Sequence, residues 1–157
     1  VKSYAEKYNT EIPVVVAGGI YDSSDVKRAM GLGADGVQVA TRFVTTEECD
    51  ADIRYKQAYI NASKEDIMIV KSPVGMPGRA ILNPLMEQVA KGIQIPHSPC
   101  HRCLAKCNPA DIPYCITDGL INAVKGNIEK GLLFCGAKAW KAEKIDTVRD
   151  AVQELFA

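Results

Sequence analysis

The sequence predicts an α/β fold in which one strand, helix, strand unit is followed by a mostly helical, cysteine-containing C-terminal region. Three observations predict it. "IPVVVA" and "ADGVQVAT" are short apolar runs rich in β-branched residues, the composition of strands covered on both faces in a parallel sheet. Between them, "SSDVKRAMGLG" sets Val26, Ala29 and Met30 on one helical face. Beyond Thr41, amphipathic stretches of helical period outnumber apolar runs of strand length.

In chain order, "VKSYAEKYNTEIP" reads as the last turns of a helix, stopped at Asn9 and Thr10 and running into a strand at Pro13. With Val1 in place of Met, it suggests that the chain starts partway along a longer enzyme. The first strand, Ile12 to Ala17, ends at Gly18 and Gly19. Asp22 with Ser23 or Ser24 caps the helix, and Gly31 and Gly33 close it. "ADGVQVAT" is the second strand. A unit of this kind within about 30 residues has parallel strands and a right-handed crossover. Both strand ends, "AGG" and "AT", are therefore expected at one carboxyl-terminal edge. "TEECDADIRYKQAYINAS" predicts a helix, "DIMIVKS" a short strand, and "GRAILNPLMEQVAKG" a helix around an internal Pro84. Residues 93–115 carry four prolines and four cysteines in 23 positions, too many of both for regular structure. "ITDGLINAVKGNIEKG" and "KAEKIDTVRDAVQELFA" predict two closing helices. The organisation is 1–48 for the strand unit, 49–92 for a helical extension with a loop, and 93–157 for the Pro/Cys-rich loop and C-terminal helices.

Composition narrows the function classes. At 157 residues, 47% hydrophobic and 24% charged, the chain has the balance of a globular domain able to bury a core. Nineteen basic residues cancel nineteen acidic ones, so no global charge argues for nucleic acid or an anionic membrane. Trp140 and the three phenylalanines are too scattered for a base-stacking platform. No run approaches the roughly 18 apolar residues of a membrane span, and the N-terminal segment lacks the apolar core of a signal peptide. The expectation is a cytoplasmic protein with no nucleic-acid or membrane partner.

Chemistry concentrates in two places. A phosphate needs several N–H donors converging without side chains in the way, and glycine permits that approach; a following helix start adds unpaired N–H groups. Ala17, Gly18 and Gly19 at one strand end, with Ala40 and Thr41 at the other, fit this need, the Thr41 hydroxyl adding a donor. The alternative is that the glycines merely make a tight turn. Arg42 either reaches the phosphate or pairs with Glu47 or Glu48. The second place is Cys100, Cys103, Cys107 and Cys115, which could converge on a structural zinc or an iron–sulfur cluster, remain reduced thiols, or form disulfides in an oxidising compartment. Cys49 and Cys135 read as ordinary buried thiols. Gly75 and Gly78 suggest a mobile loop, with Arg79 and Asn83 facing substrate or solvent, and His97 and His101 read as surface or loop residues.

The stretch "PVVVAGGIYDSSDVKRAMGLGADGVQVATRFVTTEE", residues 13–48, resembles the seventh and eighth strands of the FMN-dependent barrel of the nitronate monooxygenase family, formerly called 2-nitropropane dioxygenases. FMN-dependent enoyl-acyl carrier protein reductases share this region. "VGMPGRAILN" and the cysteine-bearing tail resemble the C-terminal part of bacterial members. The resemblance implies the last βαβ unit of a TIM (β/α)8 barrel, a fold that takes roughly 200 or more residues. It implies an FMN phosphate held by Ala17, Gly18, Gly19, Ala40 and Thr41, with Ala40 standing where the family commonly has glycine. It also implies a catalytic histidine upstream of the "AGG" turn; neither His97 nor His101 matches that position, so the catalytic residue is not assigned. The implied reaction is oxidation of an alkyl nitronate, a small-molecule substrate, to a carbonyl compound and nitrite. The alternatives are NAD(P)H-dependent reduction of an enoyl thioester, and a non-catalytic flavin- or phosphate-binding fragment. A chain with two strands of a barrel is expected to be marginal, aggregation-prone or dependent on self-association as a homo-oligomer, and to be inactive on its own.

Overall fold

The computed structural model describes residues 1–96, 99–105 and 107–157. Helix α1, Lys2–Lys7, leads into strand β1, Val15–Ala17, and Asn9 takes the positive φ that ends such a helix. Helix α2, Ser23–Gly31, and strand β2, Gly36–Gln38, follow. A 3₁₀ turn spans Thr41–Phe43, and helix α3 runs from Ile53 to Ile60. Strands β3, Ile67–Val70, and β4, Gly78–Ile81, precede helices α4, Pro84–Ala90, and α5, Ile116–Val124. Short 3₁₀ turns at Ile128–Lys130 and Ala139–Lys141 connect to the last helix, α6, Val148–Leu155.

β1 and β2 are parallel, with Val16 opposite Val37 and Ala17 opposite Gln38. Both strands therefore end at the same edge, as the short crossover through α2 requires. Their inner side chains, Val16 and Val37, pack with Ile20, Val26, Ala29 and Leu155. The outer face is open: Val15 is 61% exposed. Among the described residues, cover on both faces, expected from the apolar runs, is thus absent, because α2 and α6 lie on one side only. Met30, expected on the buried face of α2, is exposed as well.

The expected TIM barrel is overturned. The described residues form two sheets of two strands, β1–β2 parallel and β3–β4 antiparallel, and neither closes on itself. Closure needs a continuous ring of strands with matched tilt and stagger, which two separate pairs cannot supply. The fold is a small α/β arrangement.

Two further elements differ from the sequence pattern. "GRAI" is strand, not helix, and pairs with β3 from Ile67 opposite Ile81 to Val70 opposite Gly78. Pro84 is not internal to a helix but opens α4, where its missing N–H costs nothing; the Asn83 side chain caps the helix by accepting the Met86 N–H at 3.0 Å. Residues 133–135 run alongside β4, the Ile81 N–H donating to the Leu133 carbonyl at 3.0 Å and the Cys135 N–H to the Arg79 carbonyl at 2.9 Å. This extended segment carries the chain from the core to the end of β2.

Candidate functional site

The two strand ends meet in one cavity of about 330 Å³, bordered by Ala17, Gly18, Gly19, Ala40 and Thr41 and, from the far end of the chain, by Phe134, Cys135, Gly136 and Lys138. That volume lies at the small end of ligand cavities. Gly18 and Gly19 have φ of +84° and +71°, and a Cβ on either would meet nothing within 4 Å. The glycines are thus required by the backbone angle, and the space before them is open. Ala40 has a negative φ of −126°, outside the left-handed region that favours glycine, so alanine is accommodated there. The Thr41 hydroxyl oxygen accepts the Gly136 N–H at 2.8 Å, which leaves its own hydrogen free to donate. Residue 136 must be small for this contact, because a Cβ there would stand 3.0 Å from Thr41 Oγ1.

The start of α2 already carries negative charge of its own. Asp22 accepts the Asp25 N–H at 3.2 Å and the Ser24 hydroxyl at 2.6 Å, while Asp25 accepts the Tyr21 N–H at 3.1 Å. Two carboxylates thus occupy the helix end that the sequence suggested for an anionic ligand. Each is matched by a lysine from the 3₁₀ turn region: Lys141 pairs with Asp22 and Lys138 with Asp25. Lys141 and Ser24 hold the Asp22 carboxyl below the usual range. Burial pushes Asp25 up, but the bonds from Lys138 and the Tyr21 N–H outweigh it and hold it below its ordinary value.

Arg42 takes neither of its two expected partners. It is buried and reaches Asp146 and Glu154, both at 2.6 Å, with its guanidinium 5.6 Å from the Tyr21 ring centroid. It borders a neighbouring cavity of about 360 Å³ between Tyr21, Trp140 and Lys144. Glu48 instead accepts the Val148 N–H at 2.9 Å. Arg42 and Glu48 are therefore fastenings for α6. Asn83 donates to the carbonyls of Ile128 and Gly131, so it faces neither substrate nor solvent. Arg79 lies on β4, while Gly75 stands in the link between β3 and β4 with φ +84°.

All six cysteines are free thiols, Cys49 and Cys135 partly buried. Burial pushes the Cys135 thiol up to about 11. Among the described residues no group of three or more His, Cys, Asp or Glu side chains is disposed to hold a metal ion. The four clustered cysteines nevertheless gather at the start of α5. Cys115 is its N-cap residue, and Cys103 Sγ accepts the Thr117 hydroxyl at 3.0 Å. The Cys107 thiol is pushed up by burial and by the proximity of Cys100, Cys103 and Cys115. His101 lies 2.8 Å from Asp118 of the same helix; His97 is outside the described residues. No helix among them is long and apolar enough to cross a membrane.

Gly136 and Lys138 were not singled out by the sequence pattern. The signal was there: "LLFCGAK" is an apolar run stopped at a glycine, the same shape as "VVVAGG". It stands between two predicted helical stretches.

Comparison with known proteins places this geometry. Residues 3–157 match the family model described as nitronate monooxygenase. A probable nitronate monooxygenase of Staphylococcus aureus (strain Newman) is 38% identical over 80 residues, 51% of this chain and 22% of the relative. One from Staphylococcus saprophyticus is 38% identical over 78 residues, 50% and 22% of the two chains. The matched stretch is thus about a fifth of the length of these relatives. Among solved structures, FabK from Thermotoga maritima superposes with a TM-score of 0.73 at 26% identity, covering 94% of this chain and 44% of that one. A nitroalkane oxidase from Streptomyces ansochromogenes gives a TM-score of 0.63 at 22% identity over 95% of this chain and 41% of its own, a likeness of fold. Since the family model runs across nearly every residue described above, the chain belongs to the nitronate monooxygenase family of FMN-linked oxidoreductases.

Proposed function

We propose that the chain is the FMN-phosphate-holding part of an enzyme that oxidises alkyl nitronates with molecular oxygen to carbonyl compounds and nitrite, the phosphate being held by Ala17, Gly18, Gly19, Ala40 and Thr41. The observation that carries this reading is the meeting of the two strand ends in one cavity, in a chain of this family. The residues fit a phosphate: two glycines at positive φ border open space, and a threonine hydroxyl is free to donate. When bound, the flavin supplies the electron chemistry. The chain's own groups hold its phosphate end and orient it.

Gly19→Asp tests the assignment, because it sets a carboxylate against the phosphate and forces a side chain to φ +71°. Retained FMN, read from the flavin absorbance of purified protein, is expected to disappear; undiminished flavin would remove these residues from the cofactor site. Substrate class is then tested by nitronate-dependent oxygen uptake by a full-length version. Activity that instead requires NAD(P)H and an enoyl thioester would favour the reductase alternative, and flavin retention without either activity a binding module. The six free thiols accord with a reducing, cytoplasmic setting.

The gathering of Cys100, Cys103, Cys107 and Cys115 around the start of α5 supports a second proposal: zinc or an iron–sulfur cluster, drawing the four thiolates together on binding. Protein purified anaerobically is expected to carry near-stoichiometric zinc or iron that Cys103→Ser removes. Metal-free protein that also fails to take up cobalt(II) would show these to be plain thiols.

A further inference from the structure

We infer that Lys138 is the cation that meets the phosphate at the glycine turn, held ready for it by Asp25. The inference rests on the phosphate reading of the cavity and extends it to the charge of the ligand. A phosphate monoester carries nearly two negative charges at neutral pH. Glycine N–H groups and the Thr41 hydroxyl supply hydrogen bonds but no net charge. The start of α2, the ordinary source of positive potential in such a site, already faces the carboxylates of Asp22 and Asp25. Among the described residues bordering the cavity, Lys138 is the one with a cationic side chain. Arg42, the nearest alternative by sequence, is turned to Asp146 and Glu154.

The local structure gives Lys138 reach and a fixed base. Its side chain is 27% exposed, while that of Asp25 is 4% exposed. Asp25 is itself anchored by the Tyr21 N–H at 3.1 Å and by Arg28 at 3.3 Å. An ammonium group has three donors on a flexible stem, so Lys138 can keep one on Asp25 and turn another to a phosphate oxygen. Asp25 is then a positioning residue, acting through Lys138. The pairing of Lys141 with Asp22 is the same contact without a place on the cavity, and it serves as the internal control.

The test compares FMN with riboflavin, which lacks the phosphate, by quenching of flavin fluorescence on titration with the 157-residue chain. The unmodified chain is expected to prefer FMN. Lys138→Met should weaken FMN binding by about tenfold or more, the scale of one charge-assisted hydrogen bond, and leave riboflavin unchanged. Lys138→Arg should restore much of the preference, and Lys141→Met should keep it. If Lys138→Met fails to fold, Lys138→Gln keeps a donor for Asp25 without the charge and should lose the same preference. An FMN to riboflavin ratio that survives loss of the charge, or an equal loss of both ligands, would overturn the role of Lys138 and leave the phosphate site standing. An unmodified chain that does not prefer FMN would overturn both.

Discussion

Arg42 follows directly on the "AT" strand end, yet its guanidinium is spent on Asp146 and Glu154, more than a hundred residues away. The reason is burial: a charged group taken out of water needs its counter-charges within contact, and α6 brings them. Replacing Arg42 by Met should therefore destabilise the fold by about 3 kcal/mol, the low end for a broken buried pair, since Lys144 still reaches Asp146 at 3.0 Å. Urea unfolding would read this, and a change within about 0.5 kcal/mol, the scale of an ordinary surface substitution, would show the contact to be idle. Gly131 makes the opposite case, of a residue needed for its lack of a side chain. Its φ of −86° suits any residue, but a Cβ would stand 2.8 Å from Ala123 Cα on α5. Because that neighbour is backbone, Gly131→Ala should cost about 1–3 kcal/mol by overpacking, seen as an earlier urea midpoint with an unchanged slope. Neither contact is legible in the sequence, where both partners are distant and the glycine sits among ordinary turn residues.

At the scale of elements, the start of α2 is the junction between the N-terminal strand unit and the C-terminal turns. Its cap was legible: Asp22 before a run of helical period is a local signal, and it caps as expected. The lysines that neutralise it were not, since Lys138 and Lys141 lie 113 and 119 residues on. β4 was lost for a related reason. "GRAI" is too short to show a strand period, and Pro84 beyond it reads as internal to a helix rather than as a helix start. The two aspartates make the junction sensitive to acid. Their folded-state values lie below the ordinary carboxylate value, so folding binds fewer protons than unfolding does as pH falls through that region. Their stabilisation is full above about pH 4, the unfolded value, and declines as the pH drops towards the folded values. The other charges facing them are the cations Arg28, Lys138 and Lys141. The melting temperature should therefore fall as the pH drops below about 4, and Asp22→Asn with Asp25→Asn should flatten that part of the profile while lowering stability at pH 7. A profile of unchanged steepness in the double variant would show that other carboxylates govern acid unfolding.

For the whole molecule, the parts encoded in short segments were readable and the closure was not. The parallel pair, its common edge and the glycine turn follow from some thirty consecutive residues; a barrel depends on which strands neighbour which around a ring, and the described chain pairs its four strands two by two. The same assembly bounds what the cavity can do. Among the described residues, besides Lys138, which donates to Asp25, its titratable neighbours are Tyr21 and Cys135. Burial raises Tyr21, with Arg42 opposing, and burial pushes Cys135 up to about 11. A general base works best with a pKa near the operating pH, and both groups are protonated there. The chain's two histidines, His97 and His101, both follow the "AGG" turn in sequence, and His101 is engaged with Asp118. Phosphate contacts supply binding, while only interactions stronger in the transition state speed the reaction. The chain on its own, given FMN, is therefore expected to bind the cofactor's phosphate end without consuming oxygen, whether offered a neutral nitroalkane, which must lose a proton, or the nitronate already formed. An oxygen electrode measures this directly at matched chain and FMN concentrations. Sustained uptake with the nitroalkane would mean that residues 1–157 contain the proton acceptor, and loss of that uptake in His101→Gln would then identify it.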